Sequence, residues 1–182
     1  NEVRKFSATA GVTRPEDKNT LTSILAQAEE DVVMEQAFLD IGVVINGSAE
    51  NTVVVDPSGV AIVDVKFENT LDTTIYDGKI FVELSGNALN EFEVNSPEGF
   101  YDSTKNTITW DGVDVESLKE ILPGRKSNVS FTLDPTDGVG NTPEIKISVS
   151  VDGKRIFESD VPEKLASVAE RTVRIESSPE LK

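Results

Sequence analysis

Apolar residues recur at every second position through much of this chain. Ala61, Val63, Val65 and Phe67 alternate with Asp64 and Lys66, and Ile80, Val82 and Leu84 alternate with Lys79, Phe81 and Glu83. A period of two puts one face of a strand into a core and the other into water. On this basis strands are predicted over residues 36–45, 51–55, 60–68, 75–85, 107–110 and 128–134. Ile145, Ile147, Val149 and Val151 give the cleanest alternation of all. Leu89, Phe92 and Val94 predict a further segment with a register irregularity that a bulge would absorb. A last strand is predicted around Thr172 to Glu176.

Turn chemistry separates these runs. Asn46-Gly47 and Asp152-Gly153 both read as hairpin signals, the second leading into residues 155–158. Asp56-Pro57-Ser58-Gly59 and Pro123-Gly124 stop their strands. One helical turn is predicted over residues 115–121. Residues 1–31 differ from the rest. A short strand from Glu2 to Ala10 is broken at Arg14-Pro15. Beyond it, Leu21, Ile24, Leu25 and Ala28 fall on one helical face, although Glu29, Glu30 and Asp31 crowd the end where the helix dipole disfavours acids. The expected organisation is an arm or linker over 1–31, a sandwich domain over 32–176 and a frayed tail over 177–182. Short strands with regular turns and no βαβ spacing predict an all-β chain: an Ig-like antiparallel β-sandwich of about 7–9 strands with a short N-terminal helix or connector.

Composition narrows the chemistry. The 182 residues carry 17 Lys+Arg against 33 Asp+Glu, a formal charge of −16, and contain no His, no Cys and one Trp. Valine and isoleucine far outnumber leucine, as suits a pleated surface. Without His or Cys there is no Ser-His-Asp or Cys-His triad, no zinc finger, no haem or iron–sulfur ligation and no disulfide framework. The negative charge argues against nucleic acid, which needs clustered Lys and Arg. The longest apolar runs are far too short to span a membrane. Cofactors are expected to be none, with Ca²⁺ as the one open possibility.

That possibility rests on the acidic loop from Asp134 to Asn141. Asp134, Asp137 and Asn141 offer hard oxygen ligands with glycines between, which Ca²⁺ tolerates. The spacing is not that of an EF-hand, and the same residues also make a solvated turn. Asp111, Asp114 and Glu116 form a second acidic cluster, in which Asp114 is expected to cap the short helical turn. Paired carboxylates are the general acid–base chemistry that remains. With 33 acids such pairs arise by chance, so no catalytic residue is assigned and no enzyme is expected. Tyr76, Phe100 and Tyr101 are few for a sugar platform, and Tyr101 reads better as a loop anchor.

A series of motifs carries a resemblance. VDVKFEN (Val63 to Asn69) is followed by IYDGKIFVELSG (Ile75 to Gly86), SPEGF (Ser96 to Phe100), NTITW (Asn106 to Trp110) and ILPGRKSNVSFTL (Ile121 to Leu133). In this order they resemble an Ig-like conserved repeat of unknown function in prokaryotic cell-surface proteins. The fuller string looks most similar to versions in membrane-anchored proteins of small-genome candidate-phyla bacteria. The resemblance implies an extracellular, cell-surface location and a parent protein with one membrane anchor and neighbouring Ig-like domains. It also implies a non-catalytic structural or adhesive module acting as a rigid spacer or display unit. Two alternatives stand beside it: a glycan- or Ca²⁺-binding module, and a surface subunit that self-assembles by strand addition through free sheet edges or the arm.

Overall fold

The computed structural model describes residues 2–14, 17–34, 38–137, 142–156 and 162–176. It forms two units, Asn1–Ala37 and Phe38–Lys182. In the first, β1 (Glu2–Arg14) pairs antiparallel with β2 (Asp17–Met34) in one long hairpin. The helix expected around Leu21 to Ala28 is therefore a strand. Non-local pairing overrides the local period: Ala8 lies opposite Ala28, Lys5 opposite Asp31, and Lys5 Nζ reaches the Glu29 carboxylate at 3.4 Å. Two of the three acids that a helix would have placed at its unfavourable end, Glu29 and Asp31, lie beside or opposite Lys5 here. Leu21, Ile24 and Leu25 are exposed.

The second unit is a sandwich. Its strands are β3 (Leu39–Ile45), β4 (Thr52–Val55), β5 (Ala61–Asn69), β6 (Ile75–Ser85), β7 (Val94–Asn95), β8 (Phe100–Asp102), β9 (Thr107–Trp110), β10 (Glu120–Ile121), β11 (Lys126–Leu133), β12 (Glu144–Ile156) and β13 (Pro162–Ile175). One sheet runs β4-β13-β12-β6-β9-β8, with β10 on the start of β6; the other runs β3-β5-β11-β7. Among the described residues all pairings are antiparallel except β4 with β13, which is parallel. The strands outnumber those expected because β7, β8 and β10 are too short to show a period in sequence.

The alternation works as read. Val63, Val65 and Phe67 of β5, Ile80, Val82 and Leu84 of β6, Ile108 and Trp110 of β9, Val129 and Phe131 of β11, and Ile147 and Val149 of β12 are all buried. The segment expected around Leu89 to Val94 is mostly turn: Phe92 is exposed and only Val94–Asn95 pairs, with β11.

Two turn signals resolve differently from their usual meaning. Asn46 (φ 49°) and Gly47 (φ 81°) do make a tight turn, closed by Ile45 N–H to Ser48 O at 2.8 Å. The chain does not return beside β3, however. It crosses to β4 in the opposite sheet, and the Asn46 carboxamide stands in for a strand rung by accepting Ile62 N–H at 2.8 Å. Asp152-Gly153 is not a hairpin turn at all. β12 runs on through it while its pairing with β6 slips between Asp152 and Lys154. A Cβ on Gly153 would lie 2.5 Å from the Ile75 side chain, so glycine is needed for close packing and not for reversal.

At one end of the sandwich a single buried amide ties three segments together. Asn69 Nδ2 donates to Thr73 O at 2.9 Å and to Ile121 O at 2.7 Å, and Oδ1 accepts Leu71 N–H at 2.9 Å. The backbone of the same residue holds the Leu122-Pro123-Gly124 turn, accepting Gly124 N–H at 2.8 Å. Gly124 has φ 69°, a conformation that favours glycine. Asn69→Ala removes three hydrogen bonds and leaves the buried Ile121 carbonyl without its partner, and is expected to cost about 3 kcal/mol, read by urea denaturation. A loss below about 0.5 kcal/mol would show that the network does not hold this end together.

Candidate functional site

The predicted acidic groups sit at opposite ends of the sandwich. Asp134 and Asp137 follow β11 and are exposed. The backbone there is held by Asp134 N–H to Glu93 O at 3.1 Å and Thr136 N–H to Ala88 O at 2.9 Å. Asn141, the third proposed ligand, lies outside the described residues. Among the described residues no three His, Cys, Asp or Glu side chains converge as a metal site would require.

Asp111 and Asp114 lie at the other end, between β9 and the 3₁₀ turn Glu116–Leu118. Asp114 does not cap that turn. Val115 is the N-cap and makes no side-chain hydrogen bond, while the Asp114 carboxylate folds back onto Asp111 N–H at 3.3 Å. Asp111 Oδ1 accepts Val113 N–H at 2.7 Å. Both carboxylates are engaged in local turn bonding, which competes with capping at so short a spacing.

The aromatic candidates part company. Tyr101 and Ile108 face each other across β8 and β9 on the core side, and the Tyr101 hydroxyl donates to Asn106 Oδ1 at 3.0 Å. Tyr101 is thus a loop anchor, as its place beside Phe100 suggests. Desolvation raises the phenol above its ordinary value, with smaller contributions from the Glu91 and Asp102 charges. Hydrogen bonds from Thr104 lower the Asp102 carboxyl, and Lys105 helps. Phe100 points the other way and is exposed.

Sequence reasoning did not find two features of the outer faces. A cleft of about 410 Å³ lies over Gly42, walled by Lys66, Glu68, Lys126 and Asn128 on the face of β3, β5 and β11. A trough of about 370 Å³ lies over Ser148 and Lys146, lined by Glu83, Ser85, Glu170 and Arg171, on the face of β6, β12 and β13. Alternation marks these side chains as outward, but only the cross-strand register brings them together.

The two layers define the class: an all-β, Ig-like sandwich. No family pattern matches the chain, and no curated protein sequence matches it. Its fold is similar to that of several solved structures. AvmM, described as catalysing macrocyclization in alchivemycin A biosynthesis, shares 9% identity at a TM-score of 0.49, over 80% of this chain and 92% of that one. A type I cohesin from Clostridium thermocellum, solved in complex with a dockerin, shares 16% at 0.47, over 81% and 100%. BcpA, the major pilin subunit of Bacillus cereus, shares 12% at 0.47, over 92% and 48%, so this chain spans about half of it. No helix among the described residues is long and apolar enough to cross a membrane.

The Tyr101 phenol offers a direct check on the loop anchor. The neutral form is favoured in the folded state, so its contribution is complete below pH 10 and is lost as the pH rises through the higher folded value. An ultraviolet titration of the wild type against Tyr101→Phe is expected to place this component above 10.0. A value at or below that would put Tyr101 in open water.

Proposed function

We propose that this chain is a non-catalytic, load-bearing spacer or display module of a bacterial cell-surface protein, of the Ig-like repeat kind that its motifs resemble. The observation that supports this reading is where the sandwich admits and releases its chain. Leu39 lies opposite Asn69, and Asn69 bonds to Ile121, which pairs with Ile75 at the start of β6. Thr172 and Ser85, at the end of β6, both lie opposite Lys146. Ile175 lies further on, bonded to Pro143. The chain therefore enters at one pole and leaves at the other, about 33 Å away at ~3.3 Å per residue. Units of this kind can be strung in series.

The outer strands suit that use. Tension on the two ends runs along the strands. It slides β3 against β5 and β13 against β4 and β12, loading many backbone bonds at once. Parallel β4 grips the outgoing strand through Thr172 N–H to Asn51 O at 2.9 Å and Glu176 N–H to Val55 O at 3.1 Å. The strands at the far side of each sheet, β7 and β8, are two and three residues long.

Single-molecule pulling from the two ends of residues 38–176 tests the reading. One rupture lengthening the chain by roughly 450 Å is expected, at ~3.5 Å per residue. Val53→Pro, which disrupts the β4 ladder, is expected to lower the rupture force. Gradual extension without a force peak, or a force untouched by Val53→Pro, contradicts a load-bearing role. A melting temperature raised by millimolar Ca²⁺ and not by Mg²⁺ would favour the metal-binding alternative on Asp134, Asp137 and Asn141.

A further inference from the structure

One stretch of the larger sheet's rim is left open. Parallel β4 covers β13 from Thr172 to Ile175. Upstream, from Lys164 to Glu170, no strand among the described residues pairs with β13 on that side. β3 packs near β13 from the opposite sheet but pairs with β5. Hydrogen-bond directions fix which groups face the opening. Thr172 and Glu176 donate toward β4, to Asn51 O and Val55 O, while Ile175 donates to Pro143 O on the β12 side. Amides alternate sides along a strand, so those of residues 164, 166, 168 and 170 point away from β12 into the opening. Such a row is a template for another strand.

The residues along it say what fits. Ala166 and Val168 are exposed, Val168 by 65%, and Ser167 and Ala169 are half-buried. Arg171 folds over the end of the row: its Nη1 donates to Glu170 O at 2.7 Å, while its Nε is buried with no hydrogen-bond partner among the described residues. In sequence, Glu163-Lys164-Leu165-Ala166-Ser167-Val168-Ala169-Glu170-Arg171 is antisymmetric in charge about Ser167. Residues equally far from Ser167 are both apolar, as 166 with 168 and 165 with 169, or of opposite sign, as 164 with 170 and 163 with 171. An antiparallel copy of this strand is therefore its own electrostatic complement.

We propose that this edge pairs antiparallel with the same edge of a second copy of the chain, about a two-fold axis at Ser167. Lys164 of each copy then stands opposite Glu170 of the other, and Ala166 opposite Val168. The symmetry makes every complementary pair twice, and opposite charges across strands are stabilising. The register pairs even-numbered residues with even-numbered ones, the same residues whose amides are open, and so forms about eight backbone hydrogen bonds. The two Val168 side chains become diagonal neighbours across the join, which covers their exposed surface. Glu170 O passes from Arg171 to the Lys164 N–H of the copy, and the guanidinium is released toward Glu163 of the copy. The ladder ends there, because β4 holds the edge from Thr172 and Pro162 has no N–H to give. Lateral pairing leaves both poles of the sandwich free, so this proposal goes beyond the load-bearing reading and does not depend on it.

Sedimentation equilibrium of the intact chain tests this, in about 0.15 M salt so that the net charge of each copy is screened beyond about 8 Å. A monomer–dimer equilibrium is expected. Lys164→Glu alone and Glu170→Lys alone are each expected to weaken it about tenfold, and the two together to restore it. Val168→Pro removes an edge N–H that β12 does not use and is expected to weaken it at least as much. Because the chain has no cysteine, one introduced thiol reports the register. Ser167→Cys places two thiols at a non-hydrogen-bonded pair, about 4.5 Å apart at Cα, and is expected to give a disulfide-linked dimer on mild oxidation. Val168→Cys sets its thiols two residues out of step and is expected to stay uncrosslinked. A chain that remains monomeric up to about 1 mM overturns the proposal. So do charge reversals whose effects add without rescue, or a crosslink that forms at Val168→Cys in preference to Ser167→Cys.

Discussion

One indole between two sheets constrains much of this fold. Trp110 comes from β9, faces Ile80 across to β6, and meets Phe131 of the opposite sheet with ring centroids 6.2 Å apart. It has no exposed surface. The loop that leads from β7 back to β8 passes directly over the ring. A Cβ on Gly99 would lie 2.5 Å from the indole, so only glycine lets the backbone approach this closely. Ser96 Oγ then accepts Gly99 N–H at 3.2 Å and fixes the crossing. Thus the ordered motifs around Ser96–Gly99, Asn106–Trp110 and Asn128–Leu133 meet at one contact between layers.

The packing and the path of the chain are linked. Filling the interior with side chains from β5, β6, β9, β11 and β12 leaves β3 and β13 as the strands by which the chain arrives and leaves. Asn69 closes the arrival end with a buried amide whose partners are all backbone groups. Parallel β4 secures the departure end. Loops gather at both poles, while the sheet faces carry the clefts, so a partner could engage the module without disturbing its ends.

Period-two alternation was enough to place β5, β6, β9, β11 and β12, because each strand carries enough alternating residues to fix its inner face. It failed where pairing across distance decides. Residues 21–28 show a helical period, yet β1 supplies a partner along their length. Asp152-Gly153 has hairpin chemistry, yet the strand continues, because Gly153 is there to clear Ile75. Asn46-Gly47 turns the chain, yet sends it to the other sheet. Phe92 looked like a core residue by its neighbours and lies in water. The outer rows show the same limit: Glu83, Ser148 and Glu170 are far apart in sequence and become neighbours only once the register is known. Legible from residue types alone were the absence of histidine and cysteine chemistry and the anchoring role of Tyr101.

Because the chain holds a single tryptophan, its emission reports the inter-sheet core without assignment. Acrylamide quenching of the native protein is the most direct measurement. The account predicts blue-shifted emission that resists quenching until the chain is unfolded. Emission at the wavelength of free tryptophan, quenched as readily before denaturation as after it, would place Trp110 in water and contradict the packing on which the two layers depend.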